Sequence, residues 1–339
     1  MLRVSKRRRP CALSSIVGLF AVLALSPVAS HGEGLTLPSN PAAWLNSPPL
    51  TNEMLAGKAA FLWFYEEGCP RCREKWPAML EAAKKFDGKP VVFIAINSGN
   101  TRGDVQQYAR EVQLTWPVIV DSDRSFEKSA EVGEISLQNI YQAMVLLPDG
   151  TTTDGDFSDI EGTVTSALTD AKWRVDPTDV PEALKPAWVQ VEFGNFGAAS
   201  ALIKKNLFSP KPDLKTGAEK LNAAVLKERD AMAGQARAAK DSGDLWKAYQ
   251  TYASLASRFK GYDLPSDVVE ALKTLGADEK VRMELAASKQ WETAQRSLAV
   301  PGKPSKATLS QLQRIVGQYP GTEAAHSAQE ALDRATAAQ

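Results

Sequence analysis

Ala59-Ala60-Phe61-Leu62-Trp63-Phe64-Tyr65, followed by Glu66-Glu67-Gly68-Cys69-Pro70-Arg71-Cys72, is the stretch that decides the fold. Its first seven residues are a short apolar run rich in aromatics, which predicts a buried strand rather than a helix. Beyond the second cysteine, Cys72, Trp76, Met79, Leu80, Ala83 and Phe86 recur at helical spacing, and Gly88 closes the segment. The two cysteines therefore fall at a strand-to-helix junction.

That location gives the cysteines a chemistry. Two thiols separated by two residues can close a small disulfide ring, and the unpaired N–H groups and positive dipole end of a helix stabilise a thiolate. The first cysteine gains most, so Cys69 is expected to attack. Cys72, one turn into the helix on its buried side, is expected to resolve the mixed disulfide by attacking Cys69. The ring of Pro70 locks φ in the helical range at a helix start, where its missing N–H loses no hydrogen bond, and so preorganises the turn. Arg71 favours a thiolate while Glu66 and Glu67 oppose it, which leaves the direction of electron flow open. An inert staple is the bland alternative, although so small a ring gains little from loop closure. Zinc is a weaker one: a single pair supplies two ligands, and neither His31 nor His326 completes a tetrahedral set. No cofactor or metal is expected.

Working outward, Val91 to Ile96 reads as another buried strand, and Val105, Tyr108, Ala109 and Val112 as a helix. Val118 to Val120 and Ala143 to Leu147 are further strands. Asp149-Gly150 is a strong hairpin turn into Thr151 to Thr153, and Val164, Ala167, Leu168 and Ala171 repeat the helical spacing. Residues 31 to 55, with Pro38, Pro41, Pro48 and Pro49, suit an irregular lead-in. Strands alternating with helices and ending in a hairpin predict an α/β domain, a mixed central sheet with helices on both faces, over 31–175.

Past Asp176-Pro177, strand-like runs nearly vanish and Ala, Lys, Glu and Leu dominate, so 176–339 is expected to be an all-α domain of helical hairpins. Gly194-Asn195-Phe196, Gly243-Asp244-Leu245 and Lys289-Gln290-Trp291 echo one another, as tetratricopeptide-like helix-turn-helix units would. Tyr319-Pro320-Gly321-Thr322-Glu323 looks like a tight turn between paired helices.

The 339 residues suggest about two domains. The first thirty carry Arg3, Lys6, Arg7, Arg8 and Arg9 and no acid, then an apolar run from Cys11 to Leu25 and the small residues of Pro27-Val28-Ala29-Ser30. This reads as a signal peptide over 1–30 that removes Cys11, or as an anchor if it stays uncleaved. Without those five cations, 35 basic residues face 40 acidic ones, which argues against a nucleic-acid partner. The mature chain then holds two cysteines, in an oxidising compartment where they can cycle.

Residues Trp44-Leu45-Asn46-Ser47-Pro48-Pro49-Leu50, Gly57-Lys58, the strand with Glu66 and Glu67, Cys69-Pro70-Arg71-Cys72 and Pro77 together resemble the thioredoxin-like fold, especially exported bacterial thiol-disulfide oxidoreductases. Trp116-Pro117-Val118-Ile119-Val120-Asp121 and Leu147-Pro148-Asp149-Gly150 are similar to later landmarks of that family, and the resemblance covers about 38 to 173. It implies protein thiols or disulfides as substrates and a redox partner protein. In two places the chain departs from the family pattern. Tyr141, in Asn139-Ile140-Tyr141-Gln142-Ala143, stands where the family has a cis-proline, and a trans bond is expected because a cis bond costs a non-proline residue about 3 kcal/mol. Gly68 replaces the aromatic that usually precedes the first cysteine.

Trp63, Phe64, Tyr65 and Trp76 are expected in the core, and the acids from Asp149 to Glu161 in a solvated loop, since they lack the spacing of a calcium site. The rival to an oxidoreductase is a redox-weak module that uses its helical domain as an envelope interaction or scaffold protein. The sequence leaves the oligomeric state open.

Overall fold

A computed structural model describes residues 34–140, 142–298 and 303–337. The segment expected to be a signal peptide, with Cys11, and also His31 and Tyr141, lie outside the described residues. Leu35–Gln339 forms one compact unit, and no described helix is long and apolar enough to cross a membrane.

The expected mixed sheet is present, with six strands: β1 (Trp44–Leu45), β2 (Ala59–Tyr65), β3 (Val91–Ser98), β4 (Val118–Asp121), β5 (Ala143–Leu146) and β6 (Thr152–Gly155). Their order is β1-β4-β3-β2-β5-β6. β2, β3 and β4 run parallel, while β1, β5 and β6 pair antiparallel with their neighbours. Every residue of β2 is fully buried, as a strand covered on both faces requires. Its side chains alternate between two cores: Phe61, Trp63 and Tyr65 join one, and Ala60, Leu62 and Phe64 the other.

Helices α1 (Asn52–Leu55), α2 (Pro70–Lys84), α3 (Arg102–Glu111), α4 (Ser125–Ser129) and α5 (Ile160–Ala167) complete this part. Apolar residues of α2, α3 and α5 pack with Phe61, Trp63 and Tyr65, and those of α1 and α4 pack on the opposite face. The hairpin between β5 and β6 turns at Asp149-Gly150, where Gly150 has φ +89° and the Asp149 carboxylate accepts the Thr151 N–H at 2.9 Å. Asp156 accepts the Ser158 N–H in the same way and braces a turn, whereas Asp159 caps α5 by accepting the Gly162 N–H.

The lead-in is more ordered than its prolines suggest. Trp44 and Leu45 pair with Ile119 and Val118 as an edge strand, and the Asn46 amide donates to the carbonyls of Leu114 and Trp116. The helix read through Ala171 ends earlier, at Ala167.

From Lys185 onward every regular element among the described residues is helical: α6 (Lys185–Glu192), α7 (Phe196–Leu207), α8 (Pro212–Asp241), α9 (Leu245–Arg258), α10 (Asp267–Ala277), α11 (Glu279–Leu298), α12 (Lys306–Gln318) and α13 (Glu323–Ala337). Two of the three echoing segments are turns. Gly194 and Gly243 take φ +71° and +85°, and each leads directly into the next helix. The third is not a turn: Lys289, Gln290 and Trp291 lie within the continuous helix α11. A lysine stands where the others have glycine, so nothing there favours the left-handed conformation that ends a helix. The turn at Gly321, φ +80°, joins α12 to α13 as expected.

The helical part meets the α/β part through charged groups. Lys58, at the foot of β2, pairs with Glu192 of α6 at 3.2 Å, both side chains fully buried. Glu192 also accepts the N–H groups of Arg174 and Val175, and Arg258 of α9 pairs with Glu53 of α1 at 2.9 Å.

Candidate redox site

The chain leaves β2 at Tyr65 and enters α2 at Pro70, so the short segment from Glu66 to Cys69 carries it from the sheet into the helix. Cys69 is the residue that caps α2: its backbone is extended, with φ −87° and ψ 108°, and its sulfur accepts the Cys72 N–H at 3.2 Å. Its own N–H donates to the Glu66 carbonyl at 3.3 Å, closing the turn. A sulfur in this position receives one of the donors that a helix start leaves unpaired.

Both cysteines are free thiols and fully buried, while Gly68, Pro70 and Arg71 around them are exposed. Burial pushes the Cys72 thiol well above the usual range, and its hydrogen bond with Cys69 adds to the rise. Behind it lies a stack of rings. Trp76 packs 4.3 Å from Trp63 and meets Tyr65 edge-on at 5.2 Å, and its indole N–H donates to the Tyr108 hydroxyl at 3.1 Å. The aromatics flanking the motif are core, as expected, and Pro77 lies within α2.

The two glutamates before the motif have different fates. Glu66 is paired with Arg124 at 2.6 Å, a residue that sequence reading did not single out. Glu67 borders a cleft of about 320 Å³ with Gly68, Arg73, Asp104, Tyr108 and Glu111. Burial, with Asp104 and then Glu111 nearby, raises its affinity for a proton. Arg73 pairs with Glu111 at 3.0 Å across the cleft. Tyr108, whose hydroxyl is pushed up to about 12 by burial, is no base at neutral pH. Arg71 is exposed, at the surface beside the pair.

A mixed sheet with helices on both faces and a Cys-x-x-Cys pair at the start of the helix after its central strand defines a thioredoxin-like domain. Residues 46–151 match the AhpC/TSA family. The chain is similar to the thiol-disulfide oxidoreductase ResA of Bacillus subtilis (strain 168), 27% identical over 128 residues that cover 37% of this chain and 72% of that protein. The ResA of Bacillus cereus (strain ZK / E33L) is 30% identical over 81 residues, 24% of this chain and 47% of that relative, so the chain spans about half of that relative's length. Among solved structures, a secreted Mycobacterium tuberculosis disulfide oxidoreductase aligns with a TM-score of 0.32 and 22% identity, covering 38% of this chain and 96% of the other. In this region the α/β part is similar to thiol-disulfide oxidoreductases.

Proposed function

We propose that the protein is an exported thiol-disulfide oxidoreductase in which Cys69 is the nucleophile and Cys72 the resolving thiol, acting on thiols and disulfides of partner proteins. The observation that carries this is the inequality of the two sulfurs. Cys69 caps α2 and accepts an N–H at 3.2 Å, whereas burial holds the Cys72 proton. In the reductive direction the Cys69 thiolate attacks a partner disulfide and expels one partner thiolate, forming a mixed disulfide. Cys72 then loses its proton and attacks the Cys69 sulfur, which expels the second partner thiolate and leaves the Cys69–Cys72 disulfide. The partner gains two electrons and two protons. Run backwards, the same steps give the oxidant.

Export rests on the basic-then-apolar amino terminus, and the oxidising compartment it leads to suits a cycling pair. We divide the mature chain at 175/176 and assign partner contacts to the helical part, whose first helix is clamped to the catalytic part through Lys58 and Glu192.

A second reading, a redox-weak module whose helical part serves as an envelope scaffold, is favoured by one observation, the complete burial of Cys69. Insulin reduction by the mature chain, together with alkylation of the native thiols, separates the two. The oxidoreductase turns over insulin, and Cys69 alkylates without denaturant. A chain that leaves insulin intact and whose Cys69 reacts only after unfolding is the scaffold.

A further inference from the structure

Arg124 lies far beyond Cys69 in sequence, past two further strands, yet the fold brings its guanidinium to the end of β2. It pairs with Glu66 at 2.6 Å, pairs with Glu127 of α4 at 3.2 Å, and donates to the Ile135 carbonyl at 2.9 Å. Three acceptors on three segments hold one planar cation, and each of these contacts fits the fork of an arginine. The surroundings are built for it. Asp121 at the end of β4 accepts the N–H groups of Phe126 and Glu127 at 3.0 and 2.8 Å, which fixes the start of α4, and Glu127 is itself buried. Gly99 has φ +83°, and a Cβ there would stand 2.8 Å from Arg124 Nη2. A larger residue at 99 would collide with the cation.

We infer that Arg124 is a positioning residue for the cysteine pair: it anchors and neutralises Glu66, the residue whose carbonyl receives the Cys69 N–H, and so sets the field in which the pair exchanges electrons. The inference rests on the proposed redox role of Cys69 and Cys72. Without Arg124, an uncompensated carboxylate stands one turn of chain before Cys69. Negative charge there disfavours thiolate, the reduced form loses stability relative to the disulfide, and the couple becomes more reducing.

The test is equilibration of the mature protein with glutathione buffers, with the oxidised fraction read by alkylation and mass. Arg124→Gln should shift the equilibrium about three- to tenfold toward the Cys69–Cys72 disulfide, the upper figure being ~30 mV. In a Glu66→Gln background the same substitution should shift it by less than about twofold, because the carboxylate three residues before Cys69 is gone and only Glu127, on α4, loses its cation. Gly99→Ala, which displaces the guanidinium without removing it, should shift the equilibrium in the same direction and lose its effect in the same background. It decides the matter if Arg124→Gln does not fold. Equal shifts in both backgrounds, or none in either, overturn the inference. A wild-type protein that never equilibrates with glutathione overturns the redox reading instead.

Discussion

The Cys72 N–H points at the Cys69 sulfur from 3.2 Å, and that hydrogen bond makes the two thiols chemically unequal. The capping sulfur takes a donor that water would otherwise have to satisfy. Cys72, one turn later, belongs to the same buried apolar cluster as Trp76 and Tyr65, and burial there disfavours its thiolate. The proposed division of labour between Cys69 and Cys72 rests on that single turn.

Substitution should expose that division. Cys69→Ser is expected to abolish exchange and form no adduct with a disulfide substrate. Cys72→Ser should still attack but stall, accumulating a covalent mixed disulfide that survives non-reducing electrophoresis and disappears with dithiothreitol. Turnover of insulin should fall at least about 100-fold in both variants, because each removes an obligatory step.

Resolution should also depend steeply on pH. With the Cys72 thiol raised by burial, its thiolate fraction at neutral pH is small and grows about tenfold per pH unit. Release of partner from the mixed disulfide should accelerate by nearly that factor per unit between about pH 6 and 8. Stopped-flow fluorescence can follow it, since Trp76 lies in the same cluster as both cysteines. A flat profile would mean that Cys72 is not the group that titrates.

What could be read in advance depends on how local the cause is. β2 was legible because burial on both faces demands an unbroken apolar run, and α2 because its apolar positions share one side. The turn at Asp149-Gly150 carries its own chemistry. By contrast, β1 has only two residues and is a strand solely because β4 lies beside it. The partners of Glu66 and Lys58 were equally hidden. Arg124 and Glu192 belong to segments remote in sequence, and no local pattern announces which distant ion will meet a given charge. The false third echo in α11 shows the limit of pattern: Trp291 keeps the large apolar position held by Phe196 and Leu245, but the glycine that makes the turn is missing.

Tyr108→Phe tests the ring stack behind the pair. It deletes the acceptor of the buried Trp76 indole N–H, held at 3.1 Å, and leaves that donor unpaired. The expected cost is about 1–3 kcal/mol of stability, seen as a lower urea midpoint with unchanged m-value. Trp76 emission should change with it.

The clamp between β2 and α6 should leave a signature in the pH dependence of stability. Burial, and then the nearby Arg174, lower the Lys58 pKa from 10.5 to about 8, while Glu192 and Glu228 pull the other way. Unfolding returns Lys58 to its ordinary range. Between about pH 8 and 10.5 the unfolded chain holds a proton that the folded chain has released, so stability contributed at this site rises with pH across that window. Below the window both states are protonated and the full cost of burying the cation remains. Urea unfolding of wild type and Lys58→Met at about pH 7.5, 9 and 10.5 should show wild type gaining on the variant as pH rises. The opposite trend would mean that Glu192 holds the lysine charged. At neutral pH, Glu192→Ala should cost about 3–5 kcal/mol, since it strands the buried lysine and unpairs the N–H groups of Arg174 and Val175.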